Sequence, residues 1–354
     1  MILESIEIKQ VDIPLEKPFK TALRTLSTVV SIEVTIKTNT GHEGYGAASP
    51  TAVITGDTIG SIKSAVQEIW VRIKGRSIDD WDTLMTLIDS GIVGNSSAKA
   101  AMDIALHDLR AKQYGVPLYK LLGGAKTQLE TDMTVSLDKP EIMAQDAVNA
   151  LRNGFRALKV KLGNDSEMDL MRMKAIYDAV GSDVKIRLDA NQGWSRKEAV
   201  RSVLKMLDTG IDIQLVEQPV SAHDLDGMKY VTDNIPVAVL ADESVFSYQD
   251  AIKIIQMGAA DYLNIKLMKT GGIDAAMRIT SFAQAYGIEC MIGCMMEGPI
   301  GIAAAVHFGC GRHRVGLADL DVPSMYKGTS GDHDRGFIRE NAFLRPRDLT
   351  GLGI

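Results

Sequence analysis

The sequence predicts an α/β fold, an eight-stranded parallel barrel preceded by a smaller α+β domain, and three observations carry that prediction. Lys161, Asp189, Glu217, Asp242 and Lys266 follow one another at intervals of 28, 28, 25 and 24 residues, each closing a short apolar, β-branched run. One strand, one helix and two short loops occupy about that length, so the runs read as successive βα units with parallel strands. Eight such runs can be counted, TDMTVSL, ALKVKL, VKIRLDA, DIQLVEQ, AVLADES, LNIKLMK, ECMIGCM and VGLADLD, and eight parallel strands close a barrel. Residues 1 to about 49 alternate with period two instead, and the 354 residues leave room for a domain beyond the roughly 250 of a barrel.

In chain order, LESIEIKQVDIPL and VVSIEVTIKT read as antiparallel strands, and the turn Thr38-Asn39-Thr40-Gly41 leads to a third, HEGYGAASP. The polar stretch EKPFKTALRTLST, which carries Arg24, reads as a loop between the first two strands, and PTAVITGDTIG as a loop after the third. Two loops leaving one meander can lean together over a neighbouring site as a lid. From Ser61 the pattern turns helical, and Asn95-Ser96-Ser97 opens AKAAMDIALHDLRAKQYG, which Gly115-Val116-Pro117 stops. His107 on that helix is expected to be a packed histidine. The domains predicted are a capping domain over residues 1–126, a barrel over 127–320 and a tail over 321–354 that returns to the cap.

The net charge of −6 is spread along the chain, with no basic run or aromatic-interleaved basic patch to suit nucleic acid. A small neutral or zwitterionic ligand fits it better. MILESIEIKQ places Glu4 and Glu7 where a signal peptide needs a basic start and an apolar core, and even the apolar tract Cys290 to His307 is broken by Glu297, Gly298 and Pro299. A cytoplasmic protein without a membrane span is expected. Cys290, Cys294 and Cys310 lie in apolar surroundings and read as buried free thiols.

Strand alternation assigns the charges to one face, because residues two apart point the same way. Lys159 and Lys161 oppose Leu158, Val160 and Leu162; Arg187 and Asp189 oppose Ile186 and Leu188; Asn264, Lys266 and Met268 oppose Leu263, Ile265 and Leu267. With the apolar face against the helices, the charged face points into the barrel, where an unpaired lysine is too costly to be incidental. Three carboxylates, Asp189, Glu217 and Asp242, at successive strand ends without a nearby histidine or cysteine suit a hard cation, Mg²⁺ before Mn²⁺ or Ca²⁺. Lys161 is the first candidate base: an ammonium such as that of Lys159 ~6 Å away shifts a lysine from ~10.4 towards ~8 at an effective dielectric of ~20. Lys266, across the mouth, puts a second base on the other face of one carbon, the arrangement that inverts a stereocentre. Asp319 and Asp321 share a face at the last strand end and serve either to pair with Arg312 or Arg314 or to hold a cationic substrate group. Cys294, Met295 and Met296 form an apolar wall.

The KxK of Lys159 to Lys161, the acids Asp189, Glu217 and Asp242, and Lys266 together resemble the enolase superfamily, muconate lactonizing enzyme subgroup, whose use of a lysine base with Mg²⁺ is a known pattern. The likeness runs over nearly the whole chain, and FKTALRT, NSSAKAAMDIALHDL, RLDANQGW, VEQPV, ADESVF and LNIKLMK are similar to dipeptide epimerases, the L-Ala-D/L-Glu type above all. The resemblance implies a modified TIM barrel, (β/α)7β, under an α+β cap, Mg²⁺ as cofactor, a homo-oligomer, and inversion of the Cα of a dipeptide's C-terminal residue. It implies Lys161 and Lys266 as the acid/base pair, Lys159 as the group that steadies the enolate, Thr134 as a substrate contact, Asp319 and Asp321 as the ammonium site, and Arg24 as a lid arginine meeting a glutamate side chain. The seventh strand end, GCMMEGPIG, has no lysine, and Cys294, Met295, Met296 and Pro299 there favour broad or hydrophobic dipeptides. The alternatives are an L-Ala-D/L-Glu epimerase of murein peptide metabolism, an o-succinylbenzoate synthase or cycloisomerase, whose substrates lack the ammonium that Asp319 and Asp321 would bind, and a non-catalytic dipeptide-binding relative, from which a lost base or ligand would be expected.

Overall fold

The structure is a computed structural model that describes residues 1–21, 25–163, 165–328 and 335–354. Its first domain is a three-stranded antiparallel sheet, β1 (Leu3–Lys20), β2 (Thr25–Thr38) and β3 (Glu43–Ala48), covered by helices α1 (Ile59–Ile73), α2 (Trp81–Ser90) and α3 (Ser96–Gln113), with the short α4 (Leu118–Leu121) following. The period-two alternation of the first strands places Ile32, Val34 and Ile36 of β2 under α1, where they are fully buried against Ile62, Val66 and Ile69.

Helix α3 is the keystone between the domains. It is buried nearly all round, so it has no solvent face to make amphipathic. It can lie flat on β3 only because Gly44 and Gly46 present bare backbone: a Cβ on Gly46 would stand 1.9 Å from the Ala101 carbonyl oxygen.

The barrel follows. Its strands are β5 (Met133–Val135), β6 (Ala157–Lys161), β7 (Lys185–Asp189), β8 (Leu215–Glu217), β9 (Ala238–Ala241), β10 (Tyr262–Lys266), β11 (Glu289–Gly293) and β12 (Val315–Asp319), parallel and hydrogen-bonded in that order, after the two-residue β4 (Leu129–Glu130). A parallel bridge from Thr131 to Ala318 and a hydrogen bond from the Leu320 N–H to Thr131 Oγ1 (2.7 Å) draw the last strand to the first and close the ring. Helices α5 (Pro140–Arg152), α6 (Ser166–Val180), α7 (Arg196–Asp208), α8 (Leu225–Asn234), α9 (Tyr248–Met257), α10 (Leu267–Thr270) with α11 (Ile273–Ala285), and α12 (Pro299–Gly311) fill the seven crossovers. This is the (β/α)7β barrel with an α+β cap that the sequence predicted. Side-chain caps start these helices where the sequence offers them, as in the reciprocal Ser195–Glu198 box on α7.

The tail forms β13 (Phe337–Glu340) and β14 (Phe343–Pro346), an antiparallel pair joined to β4. Its end returns to the cap, where the Leu352 N–H donates to Asp108 of α3 (2.7 Å) and the Leu118 N–H donates to the Gly351 carbonyl (2.7 Å). Among the described residues no helix is long and apolar enough to cross a membrane.

Two expectations needed correction. The stretch expected as a loop over EKPFKTALRTLST is largely strand: β1 runs on to Lys20, and Phe19 and Lys20 pair with Leu26 and Thr25 beyond a register shift at Pro14. Contacts distant in sequence hold it there, since the Glu16 N–H donates to the Met325 carbonyl and Leu15 bridges to Tyr326. Met268, read as a strand position, lies in α10, because the strand stops at Lys266. His107 is packed as expected, edge-on to Trp81 and 3.2 Å from Asp103, and the three cysteines are buried and free.

Candidate active site

The carboxyl ends of the strands open into a cavity whose wall comes from both domains: Lys159, Lys161, Asp242, Lys266, Asp319 and Asp321 at the barrel mouth, and from the cap Phe19 near the end of β1, Thr21 just beyond it, and Val53 and Ile54 of the loop after β3. Thr134, Asn191, Cys294, Met295, Met296 and Val322 complete it. Residues from both of the cap segments expected to lie over the mouth thus line the cavity, the first of them as the end of a strand and not as a loop. Arg24 lies outside the described residues.

The parallel register explains why these side chains converge. Lys161 of β6 stands beside Asp189 of β7, which stands beside Glu217 of β8. The inward charges are then paired across the strands. Lys161 Nζ lies 2.6 Å from Asp189 Oδ2, and Lys266 Nζ 2.7 Å from Asp242 Oδ2. Lys159 sits between three carboxylates, 2.6 Å from Asp319, 3.0 Å from Glu217 and 3.2 Å from Asp189. Lys159 thereby bridges Asp319, on the last strand, to the acidic trio across the interior of the closed barrel.

The neighbouring charges set the protonation. Burial opposes the Lys159 ammonium, yet Asp319, Glu217 and Asp189 hold its pKa well above the ordinary range. Lys266 is likewise raised, Asp242 outweighing burial. Burial, and then Asp189 and Asp242, push the Glu217 carboxyl up to about 8. Burial with Asp319 pushes Asp321 up to about 6, although the Thr134 N–H donates to it (2.7 Å). Against burial, Lys159 and Lys266 hold Asp319 at about 2.

Two carboxylate groups deserve comparison as cation sites. Asp132, Asp319 and Asp321 bring one oxygen each within 4.8 Å of one another. That group holds positive partners, Arg187 donating to Asp132 (2.7 Å) and Lys159 to Asp319, and among the described residues its buried Asp132 Oδ1 accepts no hydrogen bond; Asp319 and Asp321 line the cavity and Asp132 does not. The other group, Asp189, Glu217 and Asp242, is paired as well, with Lys159, Lys161, Lys266 and Lys269, and Asp242 is its member in the cavity wall; its Glu217 Oε2 atom is buried, within ion-pair distance of Lys159, yet accepts no hydrogen bond among the described residues. An all-oxygen set with an orphaned buried oxygen, and a carboxyl that its neighbours drive towards protonation, fits one additional hard cation.

Sequence reasoning missed three contributors and placed a fourth, Asn264, on the inward face without giving it a partner. Lys269 is completely enclosed, 2.5 Å from Asp242 Oδ1, and Asn264 donates to Glu217 Oε1 (3.0 Å). Glu243, which accepts from Asn191 (3.3 Å), is raised to about 7 by burial and by Asp242. Asp132 precedes β5, so no strand-end rule points to it. Lys269 was concealed because alternation places it on no face once the strand has turned into α10.

Comparison with known proteins adds the family. Residues 4–123 match the mandelate racemase / muconate lactonizing enzyme N-terminal domain, and residues 142–354 match the enolase C-terminal domain-like family. An L-Ala-D/L-Glu epimerase from Clostridium acetobutylicum is 46% identical over 100% of this chain and 99% of its own length. The L-Ala-D/L-Glu epimerase of Bacillus subtilis is 48% identical over 99% of this chain and 95% of its own, and its substrate-liganded structure superposes with a TM-score of 0.98 at 45% identity, covering 100% and 99% of the two chains. A dipeptide epimerase from Enterococcus faecalis, complexed with Mg and the dipeptide L-Leu-L-Tyr, superposes with a TM-score of 0.95 at 39% identity over 100% of this chain and 99% of that one.

Proposed function

The chain belongs to the mandelate racemase/muconate lactonizing enzyme family of the enolase superfamily, and from that premise we propose that it is a Mg²⁺-dependent dipeptide epimerase inverting the Cα of the C-terminal residue by a two-lysine proton transfer. The observation that carries the reading is the placement of Lys161 and Lys266. They stand on β6 and β10, four strands apart in a ring of eight, and both line the cavity. A carbon held between them has a base on each face.

Asp189, Glu217 and Asp242 are the residues that would hold the metal. Mg²⁺ there would supply Lewis acidity towards the substrate carboxylate and draw the carboxylates away from their lysines. Lys161 or Lys266, whichever faces the α-hydrogen, removes that proton, and the opposite lysine returns one. The Lys159 ammonium, fixed among three carboxylates, steadies the charge that develops on the substrate carboxylate with no reorganisation at the moment of reaction. Asp319 and Asp321 receive the substrate ammonium, so the span from them to the two lysines measures out a dipeptide. That same requirement weighs against o-succinylbenzoate synthesis or cycloisomerisation, whose substrates bring no ammonium to these carboxylates. A non-catalytic relative would be expected to lack a base or a ligand, and each is present.

For the side chains, Phe19, Ile54, Cys294, Met295 and Met296 supply an apolar, deformable wall, which suits broad or hydrophobic dipeptides. Arg24 in the sequence of the lid and the names of two similar relatives favour a second reading, L-Ala-L-Glu. The test is a panel of L,L-dipeptides, L-Ala-L-Glu against L-Ala-L-Leu and L-Ala-L-Phe, incubated with Mg²⁺ in D₂O and followed by NMR. The expected result is loss of the C-terminal α-proton signal with formation of the L,D product, abolished by chelator and restored by Mg²⁺. No exchange with any dipeptide refutes the reading, and the ratio of kcat/KM values decides between the side chains.

A further inference from the structure

The second cap loop, residues 49–58, puts Val53 and Ile54 into the cavity wall, and both of its ends are tied to a single buried residue, Ser97 at the start of α3. At one end the Ser49 N–H donates to Ser97 Oγ (2.8 Å), and Ser97 Oγ lies 3.0 Å from the Ser49 carbonyl oxygen. At the other, the Ser97 N–H donates to Asp57 Oδ2 (3.0 Å), and Asp57 is itself buried. The junction extends into the barrel twice. Ser49 Oγ donates to the Met296 carbonyl (2.8 Å), which belongs to the cavity wall. Ser97 Oγ lies 3.3 Å from Met268 Sδ, and its neighbour Ser96 donates to the Met268 carbonyl (2.8 Å), two residues beyond Lys266.

A fold that needed only to hold cap to barrel could use apolar packing, and α3 already has it along its length. Placing polar atoms in a fully buried junction restricts it to the geometry that satisfies them all, since each unmade bond there costs more than it contributes when made. That geometry links the loop above the substrate to the turn that begins at Lys266. Lys161, on the far side of the ring, is bonded instead to Asp189 (2.6 Å), and among the described residues it shares no hydrogen bond with this junction.

We propose that Ser97 is a positioning residue that, with Ser96, couples the seating of the second cap loop to the placement of the Lys266 ammonium, so that the two lysines depend unequally on the cap. The inference rests on the two-lysine reading above. Loosening the junction should then impair proton transfer at Lys266 and leave transfer at Lys161 intact. For the epimer whose α-hydrogen faces Lys161, the proton is still removed and a solvent deuteron returned to the same face, but inversion is slowed.

The experiment measures, for each epimer of one dipeptide substrate in D₂O with Mg²⁺, the ratio of α-proton exchange to inversion. Wild type, Ser97→Ala and Ser96→Ala are compared, with Lys266→Ala as the reference for a lost second base. Ser97→Ala is expected to raise that ratio ~10-fold or more for one epimer only, in the direction of Lys266→Ala, on the scale of a sub-ångström misplacement of a reacting group. Ser96→Ala should move it the same way by less, and decides the matter if Ser97→Ala does not fold. A merely structural loss would reduce both epimers' rates together with the ratio unchanged, and that result overturns the proposal. If the wild type shows no exchange, or Lys266→Ala still inverts, the two-lysine reading fails and this inference with it. A wild-type ratio in the serine variants beside a shifted ratio in Lys266→Ala overturns this inference alone.

Discussion

Replacing Lys266 by methionine keeps most of the buried stem and removes the charge, which separates catalysis from folding. The Lys266–Asp242 pair at 2.7 Å is worth about 6 kcal/mol of attraction at an effective dielectric of about 20. Burying the ammonium costs several kcal/mol in return, so the net loss on substitution is about 1–3 kcal/mol. Asp242 is not left as an unpaired buried charge, because Lys269 remains 2.5 Å from its other oxygen. At about 2.1 cal/mol/K of unfolding entropy per residue over 354 residues, that loss lowers Tm by only about 1–4 °C. Inversion should fall by about 10²–10⁴, the usual contribution of a positioned acid or base. Proton exchange without inversion should persist for the epimer that Lys161 serves. Calorimetry and NMR in D₂O read the two effects separately. Inversion at near wild-type rate in a folded Lys266→Met protein would refute the assignment of Lys266, and loss of exchange in both epimers would refute the division of labour between the lysines.

Arg187→Met removes the only cation bonded to Asp132 among the described residues, and Asp132 is completely buried beside Asp319 and Asp321 and already raised well above the usual carboxylate range by burial and by Asp319. A loss of about 3–5 kcal/mol is expected from urea unfolding, and an effect below about 1 kcal/mol would show that Asp132 is held by other means. His307 accepts the Tyr119 N–H at Nδ1 and meets the Gly336 carbonyl at Nε2, and burial lowers its pKa to about 4. The folded pKa lies below the unfolded value of ~6.5, so the stabilisation is complete above pH ~6.5 and is lost as pH falls towards 4, by at most about 3 kcal/mol. The stability advantage of wild type over His307→Asn should shrink by that amount between pH 7 and 4 in thermal unfolding. An advantage independent of pH would mean that the ring does not titrate in this window.

The residues legible in the sequence share one property: they sit at the ends of short parallel strands whose alternation and spacing are local. Lys159, Lys161, Asp189, Glu217, Asp242 and Lys266 could be placed on one rim without any knowledge of the third dimension. Asp132, Glu243 and Lys269 could not, although all are buried and Lys269 pairs with one of the same carboxylates, Asp242. Their roles come from partners on other strands or from a turn that has left strand periodicity. The extension of β1 to Lys20 escaped notice for a similar reason, since its last residues are held by the tail near Met325 and Tyr326.

By itself, the sequence determined the barrel, its order of strands and the kind of chemistry at its mouth, because hydrophobic period and strand length are set by backbone geometry that each segment carries alone. Only the tertiary structure decided which charge answers which. Closing the ring brings Lys159 within reach of Asp319 from one side and of Asp189 and Glu217 from the other, and docking the cap on α3 puts Phe19, Val53 and Ile54 over the mouth. Those pairings fall off steeply with distance and depend on residues up to 160 positions apart, so no local pattern in the chain encodes them.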